Sequence, residues 1–169
     1  MSGPRAPEPE PAPADRPTEA SPSTAVPAAL RDAQEVAARV SADEAAADAE
    51  RARLAHEPLP VLEEGVHDGF ALAPDEIVHA TRPAAMLEER TGALPSGGTL
   101  YLTSHRLVHA GQQIRQVQLE DITETGVALE RLLLVDLADG SDLAIEIDSP
   151  RVLRVQLAAA RAIARERRA

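Results

Sequence analysis

His105 and His109 stand four residues apart, with His79 upstream, and three imidazoles in one region invite a metal-ligand reading. A spacing of four aligns two ligands only on a helix. Here one histidine falls at a turn and the other in a strand, and the glutamate of H-E-x-x-H is absent. Asp136, Asp139 and Asp142 surround Gly140, but their order does not fit D-x-D-x-D-G and the closing glutamate is missing. An acidic hairpin turn accounts for them without an ion. Glu63-Glu64, Glu88-Glu89 and Glu120-Asp121 are adjacent pairs, which on a strand point to opposite faces and do not support acid–base pairing. Ser104 lacks the G-x-S-x-G elbow, and no glycine-rich phosphate loop with a following lysine is present. The chain has no cysteine and all 17 of its basic residues are arginine, which removes thiolates, disulfides and catalytic lysines. These absences predict no enzyme, no metal, no cofactor and no small-molecule substrate.

Arginine is then the residue type left to recognise something. Residues 58–149 carry five arginines against sixteen acidic residues, a net of −11, whereas 150–169 carry six against one, a net of +5. On a helical wheel Arg151, Arg154, Arg161 and Arg165, with Arg168, form a stripe beside an apolar arc of Val152, Leu153, Leu157, Ala160, Ile163 and Ala164. That stripe is the candidate surface for an acidic protein partner or for anionic phospholipid. It is equally open to satisfaction inside the molecule, by the acidic body or by the upstream helix. The formal charge of −11 and a count of one Tyr and one Phe argue against nucleic acid.

Several elements must position these groups. Residues 1–27 hold eight of the fourteen prolines and almost nothing to bury, which predicts a disordered tail. From residue 28 to about 55 prolines vanish and alanine dominates, predicting a helix with a narrow face of Leu30, Ala33, Val36, Ala37, Val40, Ala47 and Leu54. It could dock on the following domain, pair with another helix, or stand in solvent. A first strand is expected at 77–82, ended or bent by Pro83, and a second at 85–90. Between 98 and 122, Leu100 and Leu102 alternate with polar residues, Leu107 and Val108 resume after a turn, and Val117 and Leu119 restart the pattern. A strand apolar at both parities is expected at 129–137, then a turn at Asp139-Gly140, then a strand at 143–147. Ser149 is placed to cap, and Pro150 to begin, a helix running to about 165. No apolar run reaches the length of a membrane-spanning helix, and no basic-then-apolar leader is evident at the N-terminus.

The run Leu100-Tyr101-Leu102-Thr103-Ser104-His105-Arg106-Leu107-Val108, followed by Val117-Gln118-Leu119-Glu120-Asp121-Ile122, resembles the core pattern of GRAM and bacterial pleckstrin-homology-like domains. In that family L-x-L-T-x-x-R-L-V precedes a strand ending in a D-I phrase, and the resemblance covers roughly residues 70–166. It implies a mainly β fold: a small bent barrel of about seven strands capped by a C-terminal helix. The resulting division is a tail at 1–27, a helix at 28–57, a linker at 58–70 and the domain at 71–169, with its helix at 150–166. Family members that bind phosphoinositides use a basic cluster on the loop joining the first strands. Here that region offers Arg82 and Arg90 with Glu88 and Glu89 beside them, which speaks against such binding. The expectation is a cytoplasmic, non-catalytic scaffold that binds a protein partner. Peripheral attachment to anionic membrane through the basic helix is the alternative.

Overall fold

The computed structural model describes residues 28–62, 69–87 and 95–167. Among them the elements run α1 (Ala28–Leu54), β1 (Val78–Leu87), β2 (Ser96–Thr103), β3 (Arg106–Ala110), β4 (Ile114–Gln118), β5 (Ile122–Ala128), β6 (Leu132–Leu137), β7 (Asp142–Ile147) and α2 (Pro150–Glu166). The strands form one antiparallel sheet in the order β4-β3-β2-β1-β7-β6-β5, and α2 follows the last of them. A seven-stranded antiparallel sheet followed by a C-terminal helix is the architecture expected from the sequence. β1 joins its two halves, pairing with β2 along most of its length while residues 84–87 also pair with β7. Leu100, Leu102 and Leu107 from one half share a core with Leu133, Val135, Ile145 and Ile147 from the other, and with Leu153 and Leu157 of α2. Strands so far apart in the order can meet around one core only if the sheet curls over itself. Each fully buried leucine there contributes about 2 kcal/mol.

Proline does not divide β1. Pro83 pairs with Thr99 in an uninterrupted stretch of the ladder and lies one residue before the β7 pairing begins at Ala84. At that point the strand has no β7 neighbour, so a residue without an amide hydrogen is tolerated. The two strands expected at 77–82 and 85–90 are therefore one. The compensating miss is β5, whose sequence ITETGVA has only two large apolar residues and an interior glycine. A strand at the edge of a sheet shows water much of its surface and lacks a full alternation. Leu129 opens no strand; it sits at the β5–β6 turn with φ +54 and is 83 % exposed. The proline-rich tail, Glu63-Glu64, Glu88-Glu89, Arg90 and Arg168 lie outside the described residues.

The Thr-Ser-His-Arg turn between β2 and β3 is held by a buried ionic knot. The Glu76 side chain is 1 % exposed, and Arg106 is 16 % exposed. Arg106 Nε donates to Glu76 Oε1 at 2.8 Å and one terminal nitrogen donates to Oε2 at 2.8 Å, a two-pronged clamp. The same carboxylate accepts from Thr103 Oγ1 at 2.6 Å and from the Ala73 amide at 2.9 Å. Thr103 Oγ1 in turn accepts the Arg106 amide at 2.9 Å. The guanidinium also lies 5.7 Å from the centre of the Phe70 ring, which meets Tyr101 edge-on at 5.0 Å. Both aromatic residues of the chain thus sit on the outer face, beside Val78 and Val108, and the main core is aliphatic.

Burial pushes the Glu76 carboxyl up, but hydrogen bonds from Arg106, Thr103 and the Ala73 amide, with the Arg106 charge, outweigh it and hold the group below its ordinary value. A depressed carboxyl stabilises the fold above its unfolded pKa of 4.5, and that contribution is lost as pH falls through the folded value. Urea unfolding as a function of pH should therefore show a loss below about pH 4.5 that Glu76→Gln flattens. At pH 7, Arg106→Leu leaves a buried carboxylate without its clamp and should cost about 3 kcal/mol. A cost below about 1 kcal/mol would place the clamp among ordinary surface pairs.

Candidate functional site

α2 begins without a cap of its own. Ser149 occupies the expected position but adopts a left-handed conformation, φ +56, and makes no side-chain capping bond. Pro150 has no amide to satisfy. Asp43 of α1 supplies the acceptors instead: Oδ2 takes the Arg151 amide at 3.0 Å and Oδ1 the Val152 amide at 3.4 Å. A carboxylate there satisfies orphan donors and suits the positive end of the helix dipole. Asp43 is buried, and it also pairs with the Arg151 guanidinium at 3.4 Å.

One and two turns further along α1 the seam continues through Ala47 and Glu50. Glu50 accepts Gln156 Nε2 at 2.8 Å, and Gln156 Oε1 accepts Arg82 of β1 at 3.3 Å. Arg53 clamps Glu50 with two bonds of 2.9 Å, and those bonds are the main cause of a lowered Glu50 pKa. Leu54 packs against the main core, as does Leu59 beyond the helix. The docked line is thus Asp43, Ala47, Glu50 and Leu54, at helical spacing and partly charged. Residues 28–39 are exposed, with Leu30 and Val36 facing water; Arg39 reaches Glu130 at 3.1 Å.

Docking α1 on α2 leaves a groove of about 500 Å³ that reaches β5 at one residue. Val155, Ala158 and Ala159 of α2 and Leu54 of α1 make it apolar, Thr125 bounds it on β5, and Arg51 and Arg154 line it as well. β5 pairs with β6 alone among the described residues. The start of that edge is covered: β5 has a bulge at Thr123, and one Arg161 nitrogen donates to the Ile122 and Thr123 carbonyls.

The four arginines of the stripe therefore divide. Arg151 is engaged with Asp43 and Glu44, and Arg161 with the β5 bulge. Arg154 is half-buried and, among the described residues, has no hydrogen bond or ion pair. Arg51, across the groove, pairs with Asp48 one turn back on its own helix. Arg165 is exposed and lines a second cleft of about 310 Å³ with Arg167, His105, Asp75 and Glu120. The histidines do not converge: His79 Nδ1 bonds the Pro60 carbonyl at 2.8 Å, His105 lies 3.5 Å from Asp75, and His109 Nε2 is 3.4 Å from the Ala84 carbonyl. Asp139 closes the β6–β7 turn by accepting the Ser141 amide and hydroxyl, which hold its carboxyl below the usual range.

No protein-family model matches the chain, and no curated protein does. Among solved structures it is similar to the C-terminal domain of an unknown protein from Leishmania infantum, with 16 % identity, 50 % of this chain and 80 % of that one covered, and a TM-score of 0.40. The Vps36 N-terminal PH domain shares 15 % identity over 63 % of this chain and 93 % of its own, with a TM-score of 0.46. The N-terminal PH domain of human ARAP2 shares 5 % identity over 59 % and 87 %, with a TM-score of 0.42. No described helix is long and apolar enough to cross a membrane.

If Arg161 holds the β5 bulge, Arg161→Gln should cost about 2 kcal/mol, the scale of hydrogen bonds from a charged donor. It should also speed amide exchange in β5. Arg165→Gln should stay within about 0.5 kcal/mol of wild type. Equal stabilities for the two variants would remove the structural role given to Arg161.

Proposed function

We propose that the chain is a non-catalytic interaction module of GRAM type, acting in the cytoplasm, whose partner protein lays an extended acidic segment along the β5 edge. The observation that carries this reading is Arg154: among the described residues, a half-buried guanidinium without an anion, in an apolar groove, near a strand edge without a neighbouring strand. A carboxylate from a ligand would complete it with charge-assisted hydrogen bonds, while the edge at 124–128 offers backbone donors and acceptors. Of the four arginines first singled out, Arg154 contacts the segment in this reading, Arg151 and Arg161 build the groove's frame, and Arg165 stands beyond it. The membrane alternative has less to work with, because two of the four are spent inside the molecule and the neighbouring body is acidic.

Fluorescence anisotropy with labelled octapeptides of alternating Val-Glu and alternating Val-Lys tests the reading. Wild type should bind the acidic peptide and not the basic one, and Arg154→Gln should weaken binding about tenfold, the loss of one charge-assisted contact. Equal binding of both peptides, or an unchanged affinity in the variant, would sink it. Vesicles of phosphatidylserine and phosphatidylcholine should not co-sediment the protein. Salt-sensitive sedimentation abolished by changing Arg151, Arg154, Arg161 and Arg165 to Gln would put the membrane reading first.

A further inference from the structure

The groove is made by two helices that touch through a largely polar seam. A helix held by burial alone would show a run of large apolar residues. α1 shows one small buried alanine, Ala47, flanked by the carboxylates Asp43 and Glu50, with Leu54 and Leu59 fixed to the core at its far end. Polar interfaces of this kind exchange protein contacts for water at modest cost and so open readily. Arg82 adds to the imbalance: its Nε is buried and, among the described residues, has no hydrogen-bond partner, although its terminal nitrogen reaches Gln156. The first turns of α1 touch little, since residues 28–39 are exposed and the Arg39–Glu130 pair is exposed on the arginine side.

We infer that α1 is a movable wall of the groove, pivoting near Leu54, and that its docking gates access of an extended acidic segment to β5. This rests on the groove being the binding site. In the docked state Asp43 caps α2, Glu50 holds Gln156, and Arg51 stands across the groove from Arg154. Swinging α1 away uncaps α2, removes Arg51 from the groove and leaves Val155, Ala158 and Ala159 without their opposite wall. The segment therefore binds only the docked form, and its apparent affinity falls in proportion to the docked fraction. By the same linkage a bound segment pulls α1 into place.

Hydrogen exchange read by mass spectrometry, with the Val-Glu octapeptide as probe, separates the possibilities on the full chain. Asp43→Ala should raise exchange of residues 40–54 at least tenfold while the strands keep wild-type rates. The apparent dissociation constant of the octapeptide should rise by the factor by which docking is lost. On wild type, saturating octapeptide should slow exchange in α1 as well as in β5. Should Asp43→Ala fail to fold, Ala47→Glu displaces α1 from the other side of the seam without touching the capping group, and the same readings apply. An α1 released in either variant with octapeptide affinity unchanged would overturn the gate and leave the groove standing. An octapeptide that wild type does not bind would overturn the groove, and the gate with it.

Discussion

One buried ion pair fixes the turn between β2 and β3. Arg106 binds Glu76 through two nitrogens while Thr103 joins both the carboxylate and the Arg106 amide, so the strand start, the β2–β3 turn and the segment over the outer face are tied at one point. A pair this buried gains little over an apolar replacement of the same shape, yet breaking half of it is costly. Its use is geometric. Arg106 also reaches the Ala71 carbonyl and Gln116, so the 69–73 segment, β3 and β4 are positioned by one side chain. The aliphatic core then fills the space this frame defines.

How much of this could be read in the chain depends on whether the signal was local. The alternation of Leu100 and Leu102, the Asp139-Gly140 turn and the start of α2 at Pro150 depend on neighbours in sequence, and the structure has them where they were expected. The L-T-x-x-R pattern was visible as a pattern, but its physical content was not, because Glu76 lies 30 residues from Arg106. Asp43 was equally silent: one carboxylate among many on a charged helix, 108 residues from the amide it accepts. Burial alone distinguishes it, and burial is a property of the fold. β5 escaped notice for the opposite reason, since an edge strand is half solvated and carries little pattern of its own.

The arginine stripe shows the same limit. Four guanidinium groups on one helix look equivalent on a wheel, yet the fold gives them different work. Arg151 belongs to the α1 seam, Arg161 to a bulge, Arg165 to the wall of a second cleft, and Arg154 to a groove where no described residue answers it. The helical period places side chains on a face, but the carbonyls and carboxylates they meet come from remote strands and helices. Charge separation between the acidic body and the basic last helix is thus partly consumed in folding, and what is left over is small and localised.

The bulge at Thr123 and the arginine lying over it also set a length. They cover the first carbonyls of β5, and the strand stops at Ala128 before a left-handed Leu129. What is left is an edge of five residues, about 16 Å at the usual rise of a strand. Such an edge acts as a ruler closed at both ends. A strand laid on it can pair over about five residues at most, so only a short stretch of any partner is read by the backbone.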